Sequence, residues 1–357
     1  MTDNDTIYNN STICHNDILQ KAALGVTFGF YCGAGYFKSP EAVLEADRIA
    51  DAGIRWVVIT PIVVQEHFHS TVQFRDFELT PSDRELEFII DYFHKKGVCV
   101  QLRPMLETLD GLGRLAVWFP NDSDSRIPGR ASRYYSQWFD SMTKRAVYYA
   151  RLAEEFGCEL YCLDSELDRF VGQNNHWKRV VAAVREVYSG LVTSCHTSHT
   201  GIVDFDAALA NPNHWFYDLD LLSISCYHKA ATRPGATLDE MLTAFESERE
   251  RFRRYAAMYK KPILFGECGC SAQRGSAMNP SGWASGAPYD GDEQANYLSA
   301  VLQTFPGEPW WRGLFWWKWD EHNDRPAFRN DPRGDGGFTL WGKPALQEFS
   351  EWSGKLI

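Results

Sequence analysis

Two glutamates stand at the ends of short apolar runs, where a pair of carboxyl groups could cooperate in catalysis. Glu166 follows the run 160–165, and Glu267 follows the run 263–266. Both runs are mainly apolar, which is typical of strands that are buried on both faces. One carboxyl group can protonate the oxygen of a leaving group, while a second attacks the carbon from which that oxygen departs. The two residues therefore suggest an acid/base and a nucleophile.

The glutamates belong to a regular alternation of apolar runs and amphipathic segments. The apolar runs predict eight strands, at residues 25–31, 56–64, 98–105, 160–165, 192–196, 221–227, 263–266 and 314–319. The amphipathic segments predict helices at residues 39–52, 82–96, 132–156, 177–188, 204–209, 238–259, 292–305 and 343–352. This alternation favours a closed (β/α)8 barrel, the TIM barrel, in a single α/β domain. No glycine-rich phosphate-binding sequence follows the first strand.

A barrel of this kind would bring the two glutamates together. Active sites of such barrels lie at the C-terminal ends of the strands. Glu166 and Glu267 end the fourth and seventh predicted strands, which lie on opposite sides of an eight-stranded barrel. Long loops are predicted on the same side at residues 107–131, 271–291 and 321–342. Loops of that length usually shape a substrate site.

The composition suits one large globular unit. The chain has 357 residues, of which 44% are apolar, and a formal net charge of −11. The acidic balance argues against nucleic acid or an anionic membrane as a partner. No apolar run reaches the roughly 18 residues that a membrane span needs. We expect residues 1–20 to be a polar extension and residues 21–357 to form the catalytic domain.

The N-terminus and the cysteines bear on the compartment. The first residues are polar and acidic, without the features of a secretory signal, which predicts a cytoplasmic protein. The nine cysteines include no pair with the spacing of a zinc ribbon or redox motif. We therefore expect buried, reduced thiols and neither a metal nor another cofactor.

Aromatic residues near the predicted strand ends favour a carbohydrate ligand. The chain contains 13 tryptophans. Trp317 ends the eighth predicted strand, Tyr227 ends the sixth, and Trp118 and Trp283 lie in the long loops. Aromatic rings stack on the C–H faces of sugars, and their N–H or O–H groups bind hydroxyls. These four residues are candidates for substrate binding.

The chain resembles clan A glycoside hydrolases, and most of all glycoside hydrolase family 113, the family of β-mannanases. The similar segments are residues 80–83, 149–154, 165–167, 261–267, 315–317 and 342–345. The resemblance implies that Glu166 is the acid/base and Glu267 the nucleophile of a retaining enzyme. It further implies that Tyr227 holds the nucleophile, that Trp317 forms the floor of a sugar subsite, and that Gln65 occupies a polar position of the family.

Some positions depart from the family pattern. Arg103-Pro104-Met105 stands where Lys-Pro-His is usual, and Asp164 stands where a small residue is usual. Arg103 and the strand-end His196 are expected to contact the sugar. These departures leave the particular sugar and linkage open. The function expected from the resemblance is hydrolysis of β-mannosides or related oligosaccharides by double displacement.

Two other functions compete with this prediction. His67, His69, His196, His228 and Asp320 follow predicted strands, as metal ligands do in metal-dependent amidohydrolase barrels. That design also places a histidine pair after the first strand and a lysine at the end of the fourth, and both are missing here. A non-catalytic sugar-binding barrel is the other alternative. The presence of both glutamates argues against it.

Overall fold

The computed structural model describes residues 18–120, 126–282, 286–325 and 335–356, and these form a closed parallel barrel surrounded by helices. The strands are β1 Ala23–Phe28, β2 Trp56–Ile59, β3 Ile62–Gln65, β4 Cys99–Leu102, β5 Met105–Thr108, β6 Leu160–Ser165, β7 Leu191–Thr197, β8 Leu222–Cys226, β9 Ile263–Cys268 and β10 Trp311–Trp316. The helices are α1 Pro40–Asp51, α2 Asp83–Lys95, α3 Arg130–Glu155, α4 Asn174–Arg185, α5 Phe205–Ala210, α6 Leu238–Tyr259, α7 Gly291–Thr304 and α8 Pro344–Lys355.

The barrel strands follow one another in the order β1-β10-β9-β8-β7-β6-β4-β2. This arrangement confirms the predicted (β/α)8 fold. The predicted extension, residues 1–20, lies almost entirely outside the described residues. None of the helices in the described ranges is both long enough and apolar enough to cross a membrane.

Two of the predicted strands are each divided in two by a proline. The run 56–64 splits into β2 and β3 at Pro61, and the run 98–105 splits into β4 and β5 at Pro104. Proline has no N–H to donate to a strand ladder, so the barrel pairing stops there. Beyond the break, β3 and β5 pair with each other in a separate parallel sheet. This short sheet carries Glu107 towards the barrel mouth.

Local sequence signals determine where several helices begin. The Ser39 hydroxyl accepts a hydrogen bond from the Ala42 N–H at the start of α1, where Pro40 is the first residue. Ser82 and Glu85 form the predicted capping box of α2. Each cap satisfies backbone groups that the first turn would otherwise leave unpaired.

The barrel interior is tight around the two glutamates. A Cβ on Gly266 would lie 1.9 Å from the Ser223 Oγ atom, so only glycine lets β9 approach β8 closely at this position. Glu166 has a φ of 62°, in the left-handed region that non-glycine residues rarely adopt. Strained backbone of this kind is concentrated at functional sites, where the surrounding structure holds it.

Several cysteines lie in the barrel strands and are buried there. Cys99 opens β4 and keeps 6% exposure, whereas Cys162 and Cys195 inside the barrel are fully buried. The free cysteines of the described residues are Cys32, Cys158, Cys162, Cys195, Cys226, Cys268 and Cys270.

Candidate active site

A cavity of about 590 Å³ lies at the C-terminal ends of the barrel strands and contains both glutamates. Its wall also includes Tyr227 and Trp317, both predicted to bind substrate. Its volume falls within the range of small-molecule sites in proteins. Two strand ends that lie far apart in the sequence thus contribute carboxyl groups to one cavity, as predicted. We call this space the catalytic cavity.

Three donors surround the Glu267 carboxylate, which is 2% exposed. The Ser165 hydroxyl donates to Glu267 Oε1 at 2.7 Å, and the Tyr227 hydroxyl donates to Oε2 at 3.1 Å. Arg103 Nη1 lies 3.3 Å from Oε1. A cation and hydroxyl donors around a buried carboxylate compensate for the loss of water and favour the charged form. These contacts hold the Glu267 carboxylate in one orientation.

Glu166 lies in a different electrostatic environment. Burial raises the pKa of Glu166 to about 7, the negative charge of Glu267 adds to the rise, and the Arg114 guanidinium opposes it. Arg114 Nη2 donates to Glu166 Oε2 at 3.0 Å. A carboxyl group with this pKa holds its proton in a large fraction of molecules near neutral pH. Glu166 can therefore act as a general acid near neutral pH.

Arg114 is the main residue of the cavity that the sequence did not reveal. It lies on a short 3-10 turn, Arg114–Ala116, within the long loop that follows β5. It forms ion pairs with both Glu107 and Glu166. Burial lowers the pKa of Arg114, but the carboxylates of Glu166 and Glu107 outweigh burial and raise it. The only available signal was indirect, since three glutamates at one barrel mouth need a cation.

The aromatic wall agrees in part with the sequence prediction. The Trp317 ring packs edge-on against Phe30 at a centroid distance of 4.9 Å, and both residues line the cavity. His199, which was not among the candidates, lines it beside Tyr227, with ring centroids 5.7 Å apart. Trp118 is 40% exposed and is not among the lining residues. Trp283 lies outside the described residues.

Arg103 contacts Glu267 and is not among the residues that line the cavity. Its side chain is fully buried, and Nη1 donates to the Gly266 carbonyl at 3.0 Å while Nη2 donates to Thr27 Oγ1 at 3.1 Å. Arg103 lies within the barrel interior, outside the cavity lining, and its contact with the sugar stays a prediction. Arg103 thereby contacts both the backbone of β9 at Gly266 and the side-chain carboxylate of Glu267.

Gln65 and His196 also lie outside the cavity lining. Gln65 is fully buried, accepts a hydrogen bond from Trp138 Nε1 at 3.1 Å and donates to the His67 carbonyl. His196 is buried against the Trp215 ring, and its Nδ1 lies 3.1 Å from Asp168 Oδ1. Neighbouring groups occupy both side chains, which explains why neither contacts the cavity.

Asp164 has a structural partner that accounts for its unusual presence beside the site. Its carboxylate forms a buried ion pair with Arg145 of α3, and its Oδ1 accepts from the Ser165 N–H at 2.6 Å. Asp164 therefore connects the strand end before Glu166 to the surrounding helices. It is not among the residues that line the catalytic cavity.

The histidines considered as metal ligands are dispersed. His196 pairs with Asp168, His228 lies 3.3 Å from Glu248, and Asp320 pairs with Arg325. Within the four described ranges, no three His, Cys, Asp or Glu side chains are grouped as a metal site requires. The geometry gives the amidohydrolase alternative no site in this part of the chain.

A (β/α)8 barrel with two buried carboxyl groups in one cavity at the strand ends defines the class of clan A glycoside hydrolases. The sequence profile of Glycoside Hydrolase Family 113 matches residues 26–343. The chain therefore belongs to glycoside hydrolase family 113, and the resemblance inferred from the sequence is confirmed.

Solved structures of the family share this barrel. The GH113 β-mannanase AaManA from Alicyclobacillus acidocaldarius, in complex with ManMIm, is 25% identical with a TM-score of 0.79, and the match covers 93% of this chain and 97% of that one. A complex of a GH113 β-1,4-mannanase is 26% identical with a TM-score of 0.78, covering 92% and 98%. A family 5 mannosidase from Rhizomucor miehei, 11% identical with a TM-score of 0.63 over 93% and 92%, shows the fold alone. No curated protein sequence matches the chain.

The Tyr227 hydroxyl is expected to contribute to turnover through Glu267. Tyr227→Phe removes one donor to the carboxylate and preserves the ring in the cavity wall. We expect kcat to fall on the order of 10- to 1,000-fold, as for the loss of other positioned donors. Tyr188→Phe is the matched control, because its hydroxyl donates to the Cys158 carbonyl at 2.7 Å, away from the cavity. Equal rates in the wild type and Tyr227→Phe would contradict this role.

Arg114 is expected to set the alkaline limit of activity. Glu166 must be protonated to act as an acid, so kcat/KM should decrease as the pH rises through about 7, the pKa of Glu166. Arg114→Leu removes a cation that lowers this pKa. The alkaline limb of the kcat/KM profile, where activity decreases, should therefore move to higher pH by about 1 unit or more. The control is Arg169→Gln, which removes the 2.9 Å bond from Arg169 Nε to the Leu115 carbonyl in the same loop. A limb that stays in place in Arg114→Leu, or moves equally in the control, would refute the assignment.

Proposed function

We propose that this protein is a retaining β-glycoside hydrolase that acts on β-mannosides in oligosaccharides, with Glu166 as the acid/base and Glu267 as the nucleophile. The observation that carries the proposal is the electrostatic difference between two carboxyl groups in one cavity. Burial and a neighbouring negative charge raise the pKa of Glu166, whereas Glu267 receives hydrogen bonds from Ser165 and Tyr227. A pair of this kind divides acid and nucleophile between two residues of the same type.

The first step forms a bond between the enzyme and the sugar. Glu267 attacks the anomeric carbon as the bond to the leaving oxygen breaks, and Glu166 gives its proton to that oxygen. In the second step Glu166, now ionised, takes a proton from water as the water attacks the anomeric carbon. The bond to Glu267 breaks, and both carboxyl groups return to their starting states.

The electrostatics of the pair support this change of role. The charge of Glu267 is the second contribution, after burial, to the raised pKa of Glu166. Esterification of Glu267 removes that charge, so the pKa of Glu166 must fall in the intermediate. The same residue is thereby a better acid before the first step and a better base before the second.

The choice of a β-mannoside rests on the family and on the cavity wall. The similar solved structures are described as a β-mannanase and a β-1,4-mannanase. Trp317, Phe30 and Tyr227 provide an aromatic wall beside the glutamates, suited to the C–H face of a sugar. Trp317 is proposed as the floor of the subsite that holds the sugar to be cleaved.

A trapped intermediate tests the roles of the glutamates. A 2-fluoro β-mannoside with a good leaving group should label Glu267, because the fluorine slows hydrolysis of the glycosyl-enzyme. Glu166→Ala should lose most activity on substrates with poor leaving groups, and azide should restore turnover of activated ones by replacing the activated water. Peptide mapping locates the label, and the anomer of the first product reports the stereochemistry. Labelling at another residue, or an inverted product, would contradict the proposal.

The cavity is proposed to accept short chains from one end. Loop residues Arg114 and Leu112 after β5, Phe30 and Gly33 after β1, and Ser281 after β9 enclose it. We expect release of a single sugar from manno-oligosaccharides of increasing length, and slow attack on polymeric mannan. Chromatography identifies the sugars released from the oligosaccharides, and the viscosity of the polymer solution reports the attack on mannan. A rapid loss of viscosity with mixed oligosaccharide products would indicate an open cleft and mid-chain cleavage.

A further inference from the structure

Exposed apolar side chains are gathered at the opening of the catalytic cavity. Four of the residues that line it remain well exposed: Tyr31 at 56%, Leu79 at 41%, Leu112 at 59% and Leu115 at 37%. We call these four side chains the apolar rim. They come from the segments that follow β1, β3 and β5, whereas Trp317 in the same wall is 5% exposed. Single exposed apolar residues are ordinary, but a group of them around one cavity indicates a binding surface.

Hydrogen bonds hold the loop that carries two of these leucines. The Asp110 carboxylate accepts a hydrogen bond from the Leu112 N–H at 3.0 Å. Arg169 Nε donates to the Leu115 carbonyl at 2.9 Å. The backbone on both sides of Arg114 is thus fixed, and the leucines are presented on a preformed surface, which reduces the entropy lost when a ligand binds.

The same two leucines lie on the leaving-group side of the site. Glu166, as the acid, gives its proton to the leaving oxygen, so the group that departs with that oxygen must lie beside Glu166. Arg114 Nη2 donates to Glu166 Oε2 at 3.0 Å, and Leu112 and Leu115 flank Arg114 in the loop. The departing part of the substrate, the aglycone, is therefore placed next to leucine side chains.

The charged side chains in this part of the rim already have partners. Arg114 forms ion pairs with Glu107 and with Glu166. A sugar in the aglycone position would lose water from several hydroxyls and would need donors and acceptors to replace it. Leucine offers neither a hydrogen bond nor a flat ring on which the C–H face of a sugar stacks. A hydrocarbon aglycone instead gains roughly two- to fourfold in affinity for each methylene that leaves water.

We propose that the apolar rim binds an apolar aglycone, so that β-mannosides of alkyl alcohols are substrates of this enzyme in addition to oligosaccharides. The inference rests on the proposed hydrolytic function, because it concerns the leaving group of that reaction. Hydrolysis of an alkyl β-mannoside releases mannose, whose anomeric oxygen comes from water. The alcohol keeps the glycosidic oxygen and takes the proton of Glu166.

The test is kcat/KM of the full-length enzyme on methyl, butyl and hexyl β-mannosides, measured from the mannose released at concentrations where the glycosides do not aggregate. The leaving groups are simple alcohols of similar acidity, so the chemical step is nearly the same and a difference reports binding of the aglycone. We expect kcat/KM to increase on the order of tenfold or more from methyl to hexyl, mainly through a lower KM. Equal values across the series, with normal turnover of manno-oligosaccharides, would refute the aglycone site and leave the hydrolytic function intact.

Leu112→Asn replaces an exposed apolar side chain of the rim with a polar one of similar size. It should reduce the gain from methyl to hexyl at least about threefold, and it should lower kcat/KM on hexyl β-mannoside more than on β-1,4-mannobiose. Leu109→Asn is the matched control and should retain the full gain, because Leu109 is 49% exposed in the same loop and is not among the lining residues. Leu115→Asn is a second, independent variant, and thermal unfolding of each protein would show whether the fold is preserved.

Three further results would overturn the proposal. The first is the same gain from methyl to hexyl in the wild type and in both rim variants. The second is an equal loss on hexyl β-mannoside and on β-1,4-mannobiose in Leu112→Asn, which would mean that the rim binds a sugar. The third is a wild-type dimer that Leu112→Asn converts to a monomer without changing the gain, which would identify the rim as a contact between two copies of the chain. If the proposed hydrolytic function is itself wrong, neither the alkyl β-mannosides nor the manno-oligosaccharides are cleaved, whereas turnover persists in the three cases above.

Discussion

Two carboxyl groups share one cavity, and arginine and hydroxyl donors around them compensate for the charge that they bring together. Like charges at close range in a medium of low polarity cannot both ionise without a large cost. One arginine lies on each side of the pair. Arg103 in the barrel interior lies beside Glu267, and Arg114 in a loop donates to Glu166. Burial and the charge of Glu267 nevertheless raise the pKa of Glu166 to about 7, against the opposing effect of Arg114.

Much of this arrangement could be predicted because it depends on local sequence. Apolar runs predict buried strands, and a carboxylate at the end of such a run has few places to lie except the barrel rim. Capping residues such as Ser39 and Ser82 determine where helices begin. The division of two strands could also have been read from Pro61 and Pro104, since proline cannot donate within a strand ladder.

The remaining features depend on contacts between distant segments. Arg114 belongs to a loop without a periodic pattern, and its value as a counter-ion appears only when Glu107 and Glu166 lie beside it. The family resemblance placed Gln65 at a polar position, and His196 was expected to contact the sugar from its position at a strand end. Trp138 and Asp168, which are far away in the sequence, occupy their polar atoms instead. A polar residue at a strand end is thus only a candidate for sugar binding until its hydrogen-bond partners in the folded protein are known.

The measurement closest to the central claim is the titration of Glu166 itself. Carbon-13 NMR of labelled glutamate carboxyls, assigned with Glu166→Gln, would follow this group in the free enzyme and after Glu267 is esterified by a 2-fluoro sugar. The account predicts a pKa of about 7 in the free enzyme and a fall after esterification. Titration of Glu166 near the ordinary glutamate value of about 4.3, or a pKa that does not change when Glu267 loses its charge, would contradict it.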